Sequence, residues 1–148
     1  MNKKLYKIGI ICGSFDLIHP GYIRMFKDAK SVCISLVAAL QDDPTIDRPE
    51  KCKPVQDFEG RKEILESIEY IDSIVEYSTE KELASLLANT DHDVRILGSD
   101  YEGRVDYTGA SLNKPVYYHH RDHDYSTTAL KEAVYKERLL YKKLNNLL

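Results

Sequence analysis

The sequence lacks the hydrophobic segments expected of a membrane-spanning or secreted chain. Its longest apolar runs, residues 8–12 and 32–40, are far shorter than the roughly 20 residues that a helix needs to cross a bilayer. The N-terminal residues MNKKL contain no apolar core of the kind that a signal peptide requires. We therefore expect a cytoplasmic protein with no membrane span.

Paired cysteines and an excess of charge of one sign are missing as well. The chain has three cysteines, Cys12, Cys33 and Cys52. This is an odd number, and their spacing is too wide for a CxxC metal or redox pair. Lysine and arginine total 21 against 24 acidic residues, a formal net charge of −3, which gives no support to nucleic acid as a partner. The chain has 148 residues, 43% of them apolar, and this predicts one folded domain over residues 1–148.

Strand-like and helix-like segments alternate along the chain. Short apolar runs rich in β-branched residues predict buried strands at 7–12, 32–40, 73–77, 93–97 and 116–119. Apolar residues at helical spacing predict helices that begin near residue 20 and that cover 57–68, 79–89 and 126–148. This alternation predicts a Rossmann-like α/β fold, an open parallel sheet with helices on both faces. Ligands are then expected beyond the carboxyl ends of the strands, at loops 13–22, 98–103 and 121–128.

The first of these loops carries neither of the two most familiar nucleotide-binding motifs. It reads GSFDLIHPGY over residues 13–22, which is neither GxGxxG nor a P-loop with GK[ST]. Gly13 allows a tight backbone turn beside a ligand, and Ser14 offers a hydroxyl and an N–H. His19 lies at a predicted helix start, where free amides and the helix dipole favour phosphate. The loop is therefore a candidate phosphate-binding turn.

Residues 13–22 resemble the GTFDxxHxGH signature of the cytidylyltransferase-like nucleotidyltransferases, which belong to the HxGH superfamily. Further segments match that family in the same order: KCK at 51–53, EGRK at 59–62, LESI at 65–68, GSDYEG at 98–103 and RDHDYSTT at 121–128. The similarity covers about residues 7–131 and is greatest to the bacterial glycerol-3-phosphate cytidylyltransferases. An ordered set of this kind is much more specific than an HxGH string alone.

The resemblance implies a nucleotidyltransferase that joins CMP from CTP to a phosphorylated small acceptor, such as glycerol 3-phosphate, and releases pyrophosphate. An acceptor phosphate oxygen attacks the α-phosphorus, so catalysis consists of positioning the reactants and neutralising charge on phosphoryl oxygens. The family also implies a homodimer. A Mg²⁺ ion is expected to arrive with the triphosphate, and Asp16 is the candidate protein ligand to this ion.

The same resemblance assigns roles to residues of this chain. His19 is expected to donate to the α- or β-phosphate, and Lys51, Lys53 and Arg61 are expected to hold phosphate oxygens. The residues expected to contact the nucleotide lie in the three strand-end loops: Gly13, Ser14, Phe15, Asp16, Gly21, Gly98, Asp100, Arg121, Ser126, Thr127 and Thr128.

Tyr22 departs from the signature, since it stands where the family has its second histidine. A phenol donates one hydrogen bond but carries no imidazolium charge. Positions 19 and 22 share a helix face, so Tyr22 is either a substitute donor that shapes the site or the mark of a weakened or inactive one. Two alternatives stay open: an adenylyltransferase that uses ATP on a phosphorylated sugar or related acceptor, and a non-catalytic nucleotide-binding protein.

Three further features are interpreted from the residues alone. Loop 42–56 holds Pro44, Pro49 and Pro54 together with two lysines, which favours a functional lid. His119, His120 and His123 are expected to be structural rather than zinc ligands, because no cysteine lies close by and adjacent strand residues point to opposite faces. The apolar stripe of the last helix, which ends at Leu148, predicts packing or a dimer contact.

Overall fold

Five parallel strands form one sheet in the computed structural model, which describes residues 3–146. The strands are β1 Tyr6–Gly13, β2 Cys33–Gln41, β3 Ser73–Tyr77, β4 Val94–Gly98 and β5 Val116–His119. Their order is β3-β2-β1-β4-β5, and every neighbouring pair is parallel. The predicted Rossmann-like α/β fold is confirmed, and every strand lies within one residue of its predicted bounds.

Within residues 3–146, four α-helices connect or follow the strands. They are α1 Pro20–Val32, α2 Phe58–Glu66, α3 Glu80–Asn89 and α4 Thr127–Leu144. Each begins at a residue whose side chain accepts a main-chain N–H of the first turn, namely His19, Asp57, Thr79 and Ser126. These caps satisfy N–H groups that the helix itself leaves unpaired. The predicted last helix extended to residue 148, but α4 ends at Leu144, and residues 147–148 lie outside the described part of the chain.

The sheet separates two apolar cores, because successive strand residues point to opposite faces. Ile11 of β1 faces the side that holds Phe26 of α1 and Leu65 of α2. Its neighbour Ile10 packs with Leu83 of α3 on the opposite side. Helices therefore cover both faces of the sheet, as the alternating pattern predicted.

The strand order reverses at β1. The chain proceeds outward from β1 through β2 to β3, and it then returns to place β4 on the other side of β1. The loops that leave the carboxyl ends of β1 and β4 consequently separate in opposite directions and open a crevice between them. The fold thus places the loop after Gly13 beside the loop after Gly98.

Arg61 of α2 joins this edge of the sheet to the neighbouring loop. The side chain is 2% exposed, and its guanidinium donates to the carbonyls of Ser14, Gln41, Asp42 and Gln56 at 2.8, 2.7, 2.6 and 3.1 Å. Four of its five N–H groups are therefore used by main-chain oxygens. The phosphate contact expected of Arg61 is corrected: this geometry makes it a support for the loops that carry the site.

α4 differs from the other helices, since none of its described residues is buried. Its first two turns touch the rest of the chain through Thr127 and Lys131. Farther along, Val134, Leu140 and Leu144 are exposed. Over residues 3–146, no helix has both the length and the apolar character needed to cross a bilayer.

The Arg61 contacts generate a prediction about stability. Replacing Arg61→Met removes the donors to four carbonyls, and a buried acceptor left without its partner costs about 1–3 kcal/mol. We expect the free energy of unfolding in urea to fall by at least about 3 kcal/mol. Lys62→Met is the matched control, because Lys62 forms only an outward ion pair with Glu76 at 2.7 Å. Its unfolding midpoint should change little, and equal losses in the two variants would contradict the assignment.

Candidate active site

Two adjoining cavities lie at the carboxyl edge of the sheet. The smaller, about 260 Å³, is lined by His19, Gly21, Tyr22, Gly98, Asp100, Arg121, Ser126, Thr127 and Thr128, among others. The larger, about 730 Å³, is lined on this edge by Gly13, Ser14, Lys51 and Gly98. Met25 and Gly98 line both cavities. The three predicted loops therefore meet around one composite site.

His19 caps the N-terminus of α1, and its ring nitrogen Nδ1 faces the first-turn amides of the helix. Its Nδ1 accepts the N–H of Gly21 at 3.1 Å, so the neutral ring carries its hydrogen on Nε2. Burial first, and then electrostatic repulsion from the neighbouring His123 and Arg121 side chains, lower the pKa of the His19 imidazole from its ordinary value. The free protein thus holds a neutral imidazole whose N–H is available to a ligand in the smaller cavity.

Gly21 is required by the close approach of two imidazole rings. A Cβ atom at this position would lie 2.6 Å from Cε1 of His123 and 2.9 Å from Cε1 of His19. Loop 121–125 therefore packs directly against the first turn of α1. The glycine of the signature permits the third loop to close onto the first.

Tyr22 forms a wall of the smaller cavity. Its ring centroid is 4.5 Å from that of His19 and 5.8 Å from that of Phe15. Its hydroxyl lies 3.4 Å from Oγ1 of Thr127. In this arrangement the phenol connects α1 to the start of α4, which is the geometry expected if Tyr22 shapes the site.

The N-terminus of α4 faces the same cavity. Ser126 Oγ accepts the N–H of Ala129 at 3.0 Å, and the hydroxyl of Thr127 donates to the carbonyl of Asp16 at 3.1 Å. Arg121 donates to the carbonyl of Tyr125 at 2.8 Å and lines the cavity beside the helix. A helix N-terminus with a guanidinium and an imidazole next to it is an environment that favours an anion such as phosphate.

Asp16 is not arranged as an open metal ligand. Its side chain is 5% exposed, and its carboxylate accepts the N–H groups of Val55 and Gln56 at 2.8 and 3.0 Å. Lys131 of α4 lies 3.4 Å away. Burial alone would raise the pKa of Asp16, but these donors outweigh it and the pKa is lowered. The expected contacts of Asp16 with metal or nucleotide are therefore corrected to a support of loop 42–56.

Phe15 also serves the fold rather than the cavity. Its ring is 2% exposed and packs in the core, so the nucleotide contact expected of its side chain is corrected. The sharp part of the turn is at Phe15 and Leu17, whose φ angles are 47° and 53°. Gly13, where the tight turn was expected, would have room for a Cβ, since the nearest atom would be 3.5 Å away. Left-handed backbone at two non-glycine residues indicates a turn held by its surroundings.

Gly98 and Asp100 form the second loop of the site. A Cβ atom on Gly98 would lie 2.4 Å from Oδ1 of Asp100. The glycine thus allows the Asp100 carboxylate to lie back against the end of β4. Both residues line the smaller cavity.

The structure distinguishes the two lysines of loop 42–56. Lys51 lines the larger cavity. Lys53 is among the lining residues of neither cavity, and its ammonium lies 3.7 Å from the Asp43 carboxylate. Of the two lysines, Lys51 is therefore the one that borders the site.

His119, expected from the sequence to be structural, also lines the smaller cavity. His119 is 6% exposed, and its Nδ1 lies 2.7 Å from Oδ2 of Asp28, whose other oxygen accepts the hydroxyl of Tyr117 at 2.9 Å. Nε2 of His119 is buried without a hydrogen-bond partner, and the side chain lines the cavity. No local signal could pair residues 28 and 119, because they are 91 positions apart.

Comparisons with known proteins agree with this geometry. The family model described as Cytidylyltransferase-like matches residues 10–133. Glycerol-3-phosphate cytidylyltransferase of Bacillus subtilis (strain 168) is 32% identical over 125 residues, which are 84% of this chain and 95% of that protein. Bifunctional protein HldE of Hyphomonas neptunium is 31% identical over 107 residues, 72% of this chain but only 22% of that protein.

A solved structure shares the fold. The lipopolysaccharide core biosynthesis protein from Thermoplasma volcanium GSS1 superposes with a TM-score of 0.61 at 21% identity, covering 82% of this chain and 99% of that one. The shared architecture extends over most of both chains.

The environment of His19 predicts its titration. In the free protein the pKa of His19 should lie below 6.5, and a triphosphate bound beside the ring should raise it, because an adjacent anion favours the imidazolium. NMR titration of ring resonances with and without nucleoside triphosphate measures both values. His120, which is exposed and lines neither cavity, is the control, and nucleotide should leave its resonances in place. A His19 pKa that is insensitive to the triphosphate would place the anion elsewhere.

Proposed function

The chain belongs to the cytidylyltransferase-like family, and we propose that it transfers CMP from CTP to a phosphorylated small acceptor such as glycerol 3-phosphate. Membership of a nucleotidyltransferase family supports the reaction type. The identity to glycerol-3-phosphate cytidylyltransferases of Bacillus and Staphylococcus, 32% in each case, supports the choice of CTP and of a phosphorylated alcohol. The two adjoining cavities support a site for two reactants.

The observation that carries the proposal is the convergence of His19, Arg121 and the N-terminus of α4 on the smaller cavity. In our proposal the triphosphate binds there, and the acceptor enters from the larger cavity, where Lys51 meets its phosphate. An acceptor phosphate oxygen attacks the α-phosphorus, a new P–O bond forms, and the bond to the bridging oxygen breaks. Pyrophosphate leaves with the electron pair of that bond. The Nε2–H of His19 and the helix amides stabilise the charge that develops on the phosphoryl oxygens.

The residues of this site fit a Mg²⁺ ion that arrives bound to the triphosphate. Within residues 3–146 no group of three or more His, Cys, Asp or Glu side chains is arranged to hold a metal ion. Asp100 lines the smaller cavity and supplies one carboxylate, which is the donor set expected when Mg²⁺ is bound mainly by phosphates and water. When bound, the ion neutralises phosphate charge, while His19 and Arg121 orient the triphosphate.

The hydrogen bonding of His119 favours a nucleobase that carries an exocyclic amino group. A carboxylate only accepts hydrogen bonds, so the contact with Asp28 places the ring hydrogen of His119 on Nδ1. In the neutral ring, Nε2 is then an acceptor inside the smaller cavity. The exocyclic amino group of cytosine or adenine can donate to it, whereas uracil has no such group.

We also propose the homodimer that the family resemblance implies. The support is the exposed apolar side chains of α4, among them Val134, Leu140 and Leu144. A helix without a single buried residue among those described gains apolar burial when a second copy covers it.

Pyrophosphate release tests the reaction and its nucleotide. The protein is incubated with Mg²⁺, with CTP, ATP, UTP or GTP, and with glycerol 3-phosphate or a phosphorylated sugar. We expect acceptor-dependent release with CTP, and His120→Ala should keep it because His120 lies outside both cavities. Release with ATP alone would identify the adenylyltransferase alternative. Nucleotide binding without release from any mixture would identify a non-catalytic protein.

Two substitutions on α1 test the site itself. His19→Ala removes a donor to the developing charge and should lower kcat by about 10²–10³. Tyr22→Phe keeps the aromatic contacts with His19 and Phe15 and removes only the hydroxyl near Thr127. Its kcat should therefore stay within about tenfold of the wild type, since a neutral hydrogen bond contributes about 1 kcal/mol. Equal losses in the two variants would refute the idea that Tyr22 shapes the site.

A further inference from the structure

The wall of the larger cavity contains a buried arginine with unused donors. Arg95 of β4 is 9% exposed and lines this cavity. Its Nη1 donates to the carbonyl of Thr108 at 2.9 Å, while its Nε is buried with no hydrogen-bond partner. None of the ion pairs between residues 3 and 146 includes Arg95. A guanidinium is always charged, so Arg95 is a cation for which the described protein supplies no paired carboxylate.

A second arginine of the same cavity is also incompletely satisfied. Arg48 lies 2.9 Å from the Glu80 carboxylate and 3.0 Å from the side-chain oxygen of Gln41, yet its Nε is buried without a partner. Glu80 additionally accepts the hydroxyl of Thr108. The carboxylates of Glu50, Glu80 and Asp106 line the same cavity. Glu80 is already engaged by Arg48 and Thr108 and Asp106 by Arg104, and among the described residues neither Glu50 nor Asp106 forms an ion pair with Arg48 or Arg95.

The third arginine of the cavity, Arg104, differs from Arg95 and Arg48 because it is exposed and paired with a carboxylate. Arg104 lines the cavity too, but its Nε and Nη2 donate to the two carboxylate oxygens of Asp106 at 2.8 and 3.1 Å, and the side chain is exposed. A buried charge without a partner is costly, and an anion with hydrogen-bond acceptors removes that cost. Arg95 and Arg48 therefore form the part of the wall that favours a bound anion.

This anion site is separate from the reacting edge. Arg95 precedes Gly98 by three residues on β4, which at about 3.3 Å per residue places it roughly 10 Å from the junction of the two cavities. Because successive side chains on a strand point to opposite faces, positions 95 and 98 face opposite sides of the sheet, and the Arg95 side chain lies on the face that α3 covers. A phosphate that reacts at the junction cannot occupy both positions.

We propose that the acceptor carries a second anionic group, a carboxylate or a phosphate, at the end remote from its reacting phosphate, and that Arg95 and Arg48 bind this group. The inference rests on the proposed function and changes its acceptor from glycerol 3-phosphate, which has no second anionic group, to a phosphorylated polyol with an acidic far end. The fork of a guanidinium matches such an anion in a bidentate way. Thr108 and Gly109 hold Arg95 in place, since a Cβ on Gly109 would lie 3.0 Å from its Nη1.

Calorimetry with matched ligand pairs tests this inference without requiring turnover. The pairs are 6-phosphogluconate with sorbitol 6-phosphate, and 4-phosphoerythronate with erythritol 4-phosphate, which differ only in a terminal carboxylate. We expect at least one acid to bind at least about tenfold more tightly than its polyol, since hydrogen bonds to a charged group are among the stronger ones. Arg95→Gln should abolish this preference and leave the affinity for the polyol within about twofold.

Arg104→Gln is the matched control, and it should keep the preference for the acid. Circular dichroism checks that each variant is folded, and Arg48→Gln replaces Arg95→Gln if the latter is not. Equal or weaker binding of both acids, or the same loss of preference in Arg104→Gln, overturns the inference. Pyrophosphate release without any preference for an acid contradicts this inference alone, whereas an acid preference without pyrophosphate release contradicts only the proposed reaction.

Discussion

Two buried charges of opposite sign hold the site together, and both act on main-chain atoms. Arg61 donates to carbonyls at the ends of β1 and β2 and in the loop that follows. Asp16 accepts amides of that same loop. They meet at Gln56, whose N–H donates to Asp16 and whose carbonyl accepts from Arg61. Breaking either contact leaves a buried charge and its partners unsatisfied, so the loop positions depend on the pair.

This arrangement explains how a small chain forms a site from segments far apart in sequence. The loops after β1 and β4 are adjacent because the strand order reverses at β1. Loop 42–56 is brought in by Arg61 and Asp16, and the start of α4 by the hydroxyl of Thr127 on the Asp16 carbonyl. The ligand-binding groups are therefore fixed before a ligand arrives, which reduces the ordering that binding must accomplish.

The sequence predicted the architecture well and the direction of individual side chains less well. Short apolar runs located all five strands, because the inner strands β1, β2 and β4 are largely buried and the edge strands β3 and β5 are still partly covered. The signature around His19 located the crevice. The resemblance misassigned Arg61, Asp16 and Phe15, because a motif shows which residues accompany a site but not whether they face its cavity or its supports. The contact between Asp28 and His119 had no signal in the sequence, since it depends on packing of α1 against β5.

The turn between β1 and α1 sets the distance between the His19 imidazole and the N-terminal amides of α4. Phe15 and Leu17 adopt left-handed backbone, at a cost of about 1–3 kcal/mol for each strained residue. The cost is offset by burial of Phe15 and by the N–H of Leu17, which donates to the Gln56 side chain at 3.0 Å. Between them, Asp16 contacts α4 through both Thr127 and Lys131. A relaxed turn would redirect Asp16 and release α4, so the strained turn helps to keep His19 and the N-terminus of α4 together around the smaller cavity.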